Sequence, residues 1–463
     1  MLLTWLLSHL AVLLLGFLLA VPVISQMIRQ RRSPAGTWAW LLIMGLVPFL
    51  GIPLYLMLGG RKMRRLADSK AELQLPDQRM PVPDAIPDID RLLRSYGIPG
   101  ACTGNRIQLL CSGEDGYAAL VEMIEQAQTS IWISTFILHS DAVGRDIVER
   151  IARRAAAGIA VRVLLDGVGS LHTGKRSLAL LTEAGGEVAY FMPVLHRPFR
   201  GRSNLRNHRK TVITDSSRVW AGGANIASEY IGPTYEPQRW LDLTFMLEGP
   251  ATRHYMAILS SDWKFATGIH IPIQSGRNST ITAAGNATVQ VVPSGPDVSG
   301  DPLYSALVSA VFQAKKRIWI VTPYFIPDET LAQALHLAAH RGVDVQVLIP
   351  ETSNHRLADM ARGPYLRDLQ QAGGHILLYQ GGMLHGKAFL ADDVLAVIGS
   401  ANFDMRSLFL NYETGLLLYS KTEIEAICAW IETITFNCRR GVSQVGAIRD
   451  LSEGVARMMA PML

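Results

Sequence analysis

The stretch His208-Arg209-Lys210-Thr211-Val212-Ile213-Thr214-Asp215 returns further along the chain as His385-Gly386-Lys387-Ala388-Phe389-Leu390-Ala391-Asp392. Both copies read His-x-Lys-x4-Asp, with an apolar run of strand character between Lys and Asp. On a strand, alternate side chains share one face. His208 therefore projects with Lys210, and His385 with Lys387. A single His-x-Lys pair carries little information, but two copies at equivalent places of a duplicated chain carry a great deal.

The duplication extends outward from these two segments. Upstream, SIWISTFILHSDAVGRDIVERIARRAAAGIAVRVLLDG from Ser130 has its counterpart in RIWIVTPYFIPDETLAQALHLAAHRGVDVQVLIPE from Arg317. Each reads as strand, short loop, amphipathic helix and second strand. LTEAGGEVAYF from Leu181 and LQQAGGHILLY from Leu369 follow, each a helix stopped by a Gly pair and then a strand. Downstream of the two His segments stand AGGAN, ending at Asn225, and IGSAN, ending at Asn402. The expected fold is α/β: two pseudo-symmetric lobes, each with a mixed, mostly parallel sheet flanked by helices. Trp132 and Trp319 occupy equivalent strand positions and are expected in the core. The first copy carries an insert before its His, with Arg197, Arg200, Arg202 and Arg206; it reads as a basic loop at a cleft mouth.

An imidazole beside an ammonium suits a phosphate. The lysine attracts the anionic oxygens and stabilises charge that develops on them. It also favours the neutral, nucleophilic imidazole, because a nearby positive charge lowers the His pKa. Asn225 and Asn402 can donate to phosphate oxygens. If the halves pack about a pseudo-twofold axis, the two imidazoles face one cleft. One can then attack phosphorus while the other protonates the leaving oxygen. His139, His172 and His355 show no metal-ligand spacing. GSLHTGKR from Gly169 imitates a phosphate loop but has Arg176 where the metal-binding hydroxyl belongs.

The doubled motif, with GGAN and GSANFDMRS behind it, resembles the phospholipase D superfamily and its HKD signature. The N-terminal hydrophobic runs, the duplication and the closing APML resemble, more narrowly, bacterial cardiolipin synthases. The resemblance implies phosphatidylglycerol as substrate, a phospho-histidine intermediate, cardiolipin and glycerol as products, and no metal or other cofactor. It implies a reacting set of His208, Lys210 and Asp215 with His385, Lys387 and Asp392; the two Asp residues are usually structural in this family. His208 is nucleophile by analogy, with the reverse assignment open. Asn225, Asn402 and Ser400 are expected to bind substrate, and Asp242 and Glu413 to orient imidazoles. The first half reads GGAN in place of the family's GSAN, so it lacks the hydroxyl that Ser400 supplies.

Composition points to membrane segments. The 463 residues hold 44 Lys+Arg against 39 Asp+Glu, a net charge of +5, yet only 18% are charged and 49% are apolar. Soluble domains carry about a quarter charged residues. The composition excludes a disordered chain, and four Cys exclude a disulfide-stapled scaffold. Residues 1–26 and 33–60 contain no charged side chain, and either run exceeds the roughly 20 residues that span a bilayer. The expected layout is a two-helix membrane anchor over 1–65, a linker over 66–105 with a short helix near Ile89–Tyr96, a first lobe over 106–280 and a second over 281–463 with C-terminal helices. The connection between the runs carries Arg29, Arg31 and Arg32, and the far side Arg61, Lys62, Arg64, Arg65 and Lys70. This count favours a cytoplasmic catalytic domain on a multi-pass inner-membrane protein. The expected partners are phosphatidylglycerol and an anionic bilayer, not nucleic acid; oligomeric state stays open, with a homodimer among the alternatives. Competing functions are a membrane-bound phospholipase D-type hydrolase or nuclease, and a non-catalytic lipid-binding scaffold.

Overall fold

The computed structural model describes residues 70–76, 88–171, 173–193, 205–271 and 283–458, together with a few positions between 21 and 51. The expected membrane runs and the basic insert through Asn204 lie almost wholly outside the described residues. No helix among the described residues is long and apolar enough to cross a membrane.

A helix α1 (Asp88–Ser95) precedes the first half. That half runs β1 (Cys102–Leu110), α2 (Gly113–Gln126), β2 (Ser130–Thr135), α3 (Ala142–Ala156), β3 (Ala160–Asp166), α4 (Lys175–Glu183), β4 (Glu187–Phe191), β5 (Thr211–Thr214), β6 (Arg218–Gly222), β7 (Thr244–Glu248) and α5 (Thr252–Thr267). The second half repeats the order: β8 (Ala287–Ser294), α6 (Pro302–Gln313), β9 (Arg317–Val321), β10 (Phe325–Ile326), α7 (Glu329–His340), β11 (Asp344–Pro350), α8 (Arg356–Gln371), β12 (His375–Tyr379), β13 (Ala388–Ala391), β14 (Leu395–Gly399), β15 (Phe403–Asp404), α9 (Met405–Phe409), β16 (Glu413–Leu418) and α10 (Lys421–Thr435). It closes with β17 (Cys438–Arg440) and α11 (Ala447–Met458). Asp141 and Asp328, equivalent in the repeats, cap α3 and α7 by accepting from backbone N–H groups of the first turn.

The two halves share one 15-stranded sheet. From its seam the order runs β8-β16-β14-β13-β9-β11-β12-β17 in one direction and β1-β7-β6-β5-β2-β3-β4 in the other. Apart from the edge strand β17, the two directions are related by the repeat. The seam itself is the antiparallel pair β1–β8, with an irregular register between Cys102 and Asn105. Buried Asn105 satisfies it, donating to the Cys102 and Ala287 carbonyls and accepting from the Ala251 N–H. The expectation of mostly parallel sheets is corrected. Within the 15-stranded sheet only β2–β3–β4 and β9–β11–β12 pair in parallel, because these are joined by crossover helices, while hairpins such as β5–β6 and β13–β14 are antiparallel; β10 and β15 form a separate parallel pair.

Helices cover both faces. One apolar cluster under the sheet runs across both halves, joining Ile213 and Phe245 to Leu390 and Leu416 beneath α5 and α10. The two lobes are therefore parts of one folded body. Trp132 and Trp319 are buried.

The topology separates the two ends of each His-x-Lys-x4-Asp segment. β5 runs antiparallel to β2, with Thr211 beside Ser134 and Thr214 beside Ile131, and β13 lies likewise on β9. The His end sits at the carboxyl end of β2 or β9, and the Asp end at its start. Asp215 accepts the N–H groups of Gln128, Thr129 and Ser130, and Asp392 those of Lys315, Lys316 and Arg317. Both hold a left-handed turn, at φ 51°, a conformation Asp tolerates. This corrects the inclusion of Asp215 and Asp392 among the reacting residues. They clamp the chain that enters β2 and β9, roughly 20 Å of extended backbone from the imidazoles.

Candidate active site

Each His segment is stitched to the other half. His208 N–H donates to the Tyr412 carbonyl at 2.9 Å, and Tyr412 N–H to the Arg206 carbonyl at 2.9 Å. Correspondingly, His385 N–H donates to the Leu241 carbonyl at 2.7 Å, and Leu241 N–H to the Met383 carbonyl at 2.9 Å. Tyr412 precedes Glu413 and Leu241 precedes Asp242, so each stitch delivers an acid to the imidazole of the opposite half. His208 Nδ1 lies 2.8 Å from Glu413 Oε1 and 3.1 Å from Oε2. His385 Nδ1 lies 2.6 Å from Asp242 Oδ2. A carboxylate on Nδ1 holds the proton there and leaves Nε2 as the lone-pair nitrogen.

The two carboxylates are held by different means. Ser400 Oγ donates to Glu413 Oε2 at 2.5 Å and accepts the Thr414 N–H at 3.0 Å. Ser400, expected to bind substrate, is placed as a support for Glu413. Its counterpart is Gly223, and a Cβ there would come within 2.0 Å of Asp242 Oδ1. The departure from GSAN in the first half has this cause: the shorter acid lies closer to the strand, where no serine fits. Asp242 Oδ1 instead accepts the Leu243 N–H at 2.7 Å.

Lys210 Nζ donates to the His208 carbonyl at 2.7 Å and sits over the Phe136 ring. Lys387 Nζ donates to the His385 carbonyl and lies against the ring, 2.7 Å from His385 Nδ1 and 3.1 Å from Nε2. Burial, helped by both lysines, pushes the His208 imidazole below its ordinary pKa against the pull of Glu413. Burial and Lys387 push His385 down to about 3. Burial also lowers Lys210 to about 7 and Lys387 to about 8. Each of these groups feels a charged partner from the other half, so the four form one electrostatic unit. Burial raises the Glu413 carboxyl, but His208, Lys210 and Ser400 more than offset that, and it stays below its ordinary range.

Asn225 and Asn402 are buried. Asn225 Oδ1 accepts the Ile137 N–H at 3.1 Å, while Asn402 Oδ1 has no hydrogen-bond partner among the described residues. The sequence reading missed the aromatic walls. Phe136 meets the His208 ring edge-on at 5.1 Å; Tyr230 and Trp240 meet His385 at 5.1 and 5.4 Å. Trp240 could have been found from its place two residues before Asp242, where the second half has Asn411 before Glu413.

Gly223→Ala tests the close approach to Asp242. The added methyl must displace the carboxylate that holds His385, so kcat is expected to fall at least tenfold, with the fold retained and the melting temperature somewhat lowered. A variant turning over at the normal rate would contradict the assigned contact.

The comparisons with known proteins agree with the two-half fold. The domain family described as "Cardiolipin synthase, PLD-like domain" matches residues 120–263 and 307–435, one segment in each half. A second, described as "Phospholipase_D-nuclease N-terminal", matches residues 14–60. Cardiolipin synthase 1 of Bacillus anthracis is 33% identical, over 86% of this chain and 82% of its own. A cardiolipin synthase of Listeria monocytogenes is 30% identical over 99% of this chain and 100% of its own. Among solved structures, phosphatidylserine synthase of Haemophilus influenzae superposes with a TM-score of 0.59 at 16% identity, over 81% of this chain and 99% of its own, a likeness of fold. The chain belongs to the cardiolipin synthase family of phospholipase D-like phosphatidyltransferases.

Proposed function

We propose that the chain condenses two phosphatidylglycerol molecules into cardiolipin and glycerol at this site, with His208 as nucleophile and His385 as general acid and base. The observation that carries the reading is the exchange of carboxylates, which makes the two imidazoles one unit drawn from both halves. The choice of His208 follows the resemblance, in which the first-half imidazole attacks; both lysines donate to the carbonyl of their own histidine and do not separate the two rings.

In the first step His208 Nε2 attacks phosphorus and forms an N–P bond. The P–O bond to the departing glycerol breaks, and that oxygen takes a proton from His385. In the second step the glycerol hydroxyl of another phosphatidylglycerol gives its proton to His385 and attacks the same phosphorus, and the N–P bond breaks. Lys210, Lys387, Asn225 and Asn402 hold the phosphoryl oxygens. His385 is held neutral by burial and Lys387 in the empty site. The negative charge of a bound phosphodiester offsets the lysines and raises its proton affinity, so the proton arrives with the substrate. Tyr230 and Trp240 wall off His385 from water, which favours an alcohol acceptor over hydrolysis.

The enzyme is read as a multi-pass protein of the bacterial inner membrane with its catalytic body toward the cytoplasm. The hydrophobic runs of 1–26 and 33–60 and the family match over 14–60 support this. So does α11, which ties Glu453 inward to Arg367 and leaves Ile448, Leu451, Val455 and Met458 exposed along one stripe.

Purified full-length protein in micelles with phosphatidylglycerol alone, in the presence of EDTA, should release cardiolipin and free glycerol in equal amounts. Phosphatidic acid as the sole lipid product would make it a hydrolase, and dependence on added divalent metal would contradict the mechanism. The free enzyme must keep its lysines charged, so kcat/KM should fall as pH rises through about 7 to 8. Bound phosphate raises both lysine pKa values, so the alkaline limb of kcat should lie higher. A kcat/KM that keeps rising to pH ~9 would overturn these assignments.

A further inference from the structure

The residue between His208 and Lys210 points to the opposite face. It is Arg209, and it enters a buried cluster of four charges. Its Nη1 lies 2.8 and 3.0 Å from the carboxylate of Asp262 on α5, and its Nη2 3.6 Å from Asp297 in the turn after β8. Its Nε donates to the backbone carbonyl of Glu413 at 3.1 Å. The fourth member is Lys70, whose Nζ donates to Asp297 Oδ2 at 2.6 Å and also to Asp262 Oδ1. None of the four side chains is more than 2% exposed. The Lys70 ammonium also lies 4.8 Å from the centre of the Tyr412 ring, beside Glu413, and Leu73 N–H donates to the Asp297 carbonyl.

Two cations and two anions make the set neutral, and loss of one member leaves an uncompensated buried charge. The repeat itself does not need this arrangement. In the second half the place of Arg209 is taken by Gly386, and the ring of Trp430 fills the space, 2.7 Å from where a Cβ would stand. One copy thus backs its imidazole with an apolar ring. The other uses ions, one of which comes from outside the repeat, on the chain that follows the hydrophobic runs and the basic cluster Arg61–Arg65.

We propose that Lys70 is a positioning residue for the His208–Glu413 pair: it neutralises Asp262 and Asp297, these hold Arg209, and Arg209 holds the backbone of Glu413. Docking of the membrane-proximal segment then completes the site, and a body whose segment 70–76 is detached is a poor catalyst. The inference rests on the reading of His208 as a reacting group.

The test uses full-length protein in mixed micelles and follows consumption of phosphatidylglycerol whatever the product. A finding that water is the acceptor would then sink the proposed function and leave this inference standing. Lys70→Met should lower kcat at least tenfold with KM within threefold, and Lys70→Arg should return kcat to within threefold of the unaltered protein. Should Lys70→Met fail to fold, Lys70→Met/Asp297→Asn decides. It removes one charge of each sign, so the cluster stays neutral while the tie to the segment is lost; kcat should still fall tenfold. Unaltered kcat in either variant, a loss confined to KM, or an Arg variant no better than Met would overturn the proposal. Failure of the charge-balanced variant to fold would also overturn it, since the cluster would then serve the fold alone.

Discussion

The structure turns on an exchange: the imidazole of each half is held by a carboxylate of the other. A buried carboxylate is costly to leave without its hydrogen-bond donor, by about 1–3 kcal/mol or more. Neither half can therefore complete its own site. The backbone stitches at Tyr412 and Leu241 and the seam β1–β8 serve the same end, because each fixes one repeat against the other next to the reacting groups. The long sheet follows from this. Seven strands of the first half and eight of the second pair edge to edge, and this pairing brings four buried titratable groups into one field.

Pseudo-symmetry stops at the side chains, and the deviations come in compensating pairs. Glu413 is long and takes a hydroxyl from Ser400; Asp242 is short and requires Gly223. Arg209 stands in an ion cluster where Gly386 admits Trp430. Asn411 stands beside one carboxylate, and Trp240 covers the other imidazole. The two half-sites share a backbone and differ in polarity. An acid-base division of labour needs that difference, since two identical imidazoles would titrate alike.

Much of this was legible in the sequence. The repeated blocks announced the duplication, and the His-x-Lys spacing on an extended segment put imidazole and ammonium together. Four features were hidden. The partner of each carboxylate is set by contacts between residues some 140 to 200 positions apart (|i−j| 143 for His385–Asp242 and 205 for His208–Glu413), which no local pattern encodes. The seam strands CTGNRIQLL and ATVQVVPS resemble each other too weakly to join the repeat, so a single sheet was not foreseen. Asp215 and Asp392 lie within the motif by spacing, yet a strand carries its two ends to opposite edges of the sheet. Lys70 lay in a polar stretch that read as a connection, and burial of a lone lysine has no local signature.

The central claim is that His208 and His385 act on one phosphorus. The most direct measurement is a crystal structure with vanadate, which adopts the geometry of phosphorus in transfer. The account predicts one vanadate bonded to His208 Nε2, with an apical oxygen within hydrogen-bond distance of His385 Nε2 and both lysines on its equatorial oxygens. Vanadate bound to either ring alone, with the other imidazole opening into a separate pocket, would contradict it.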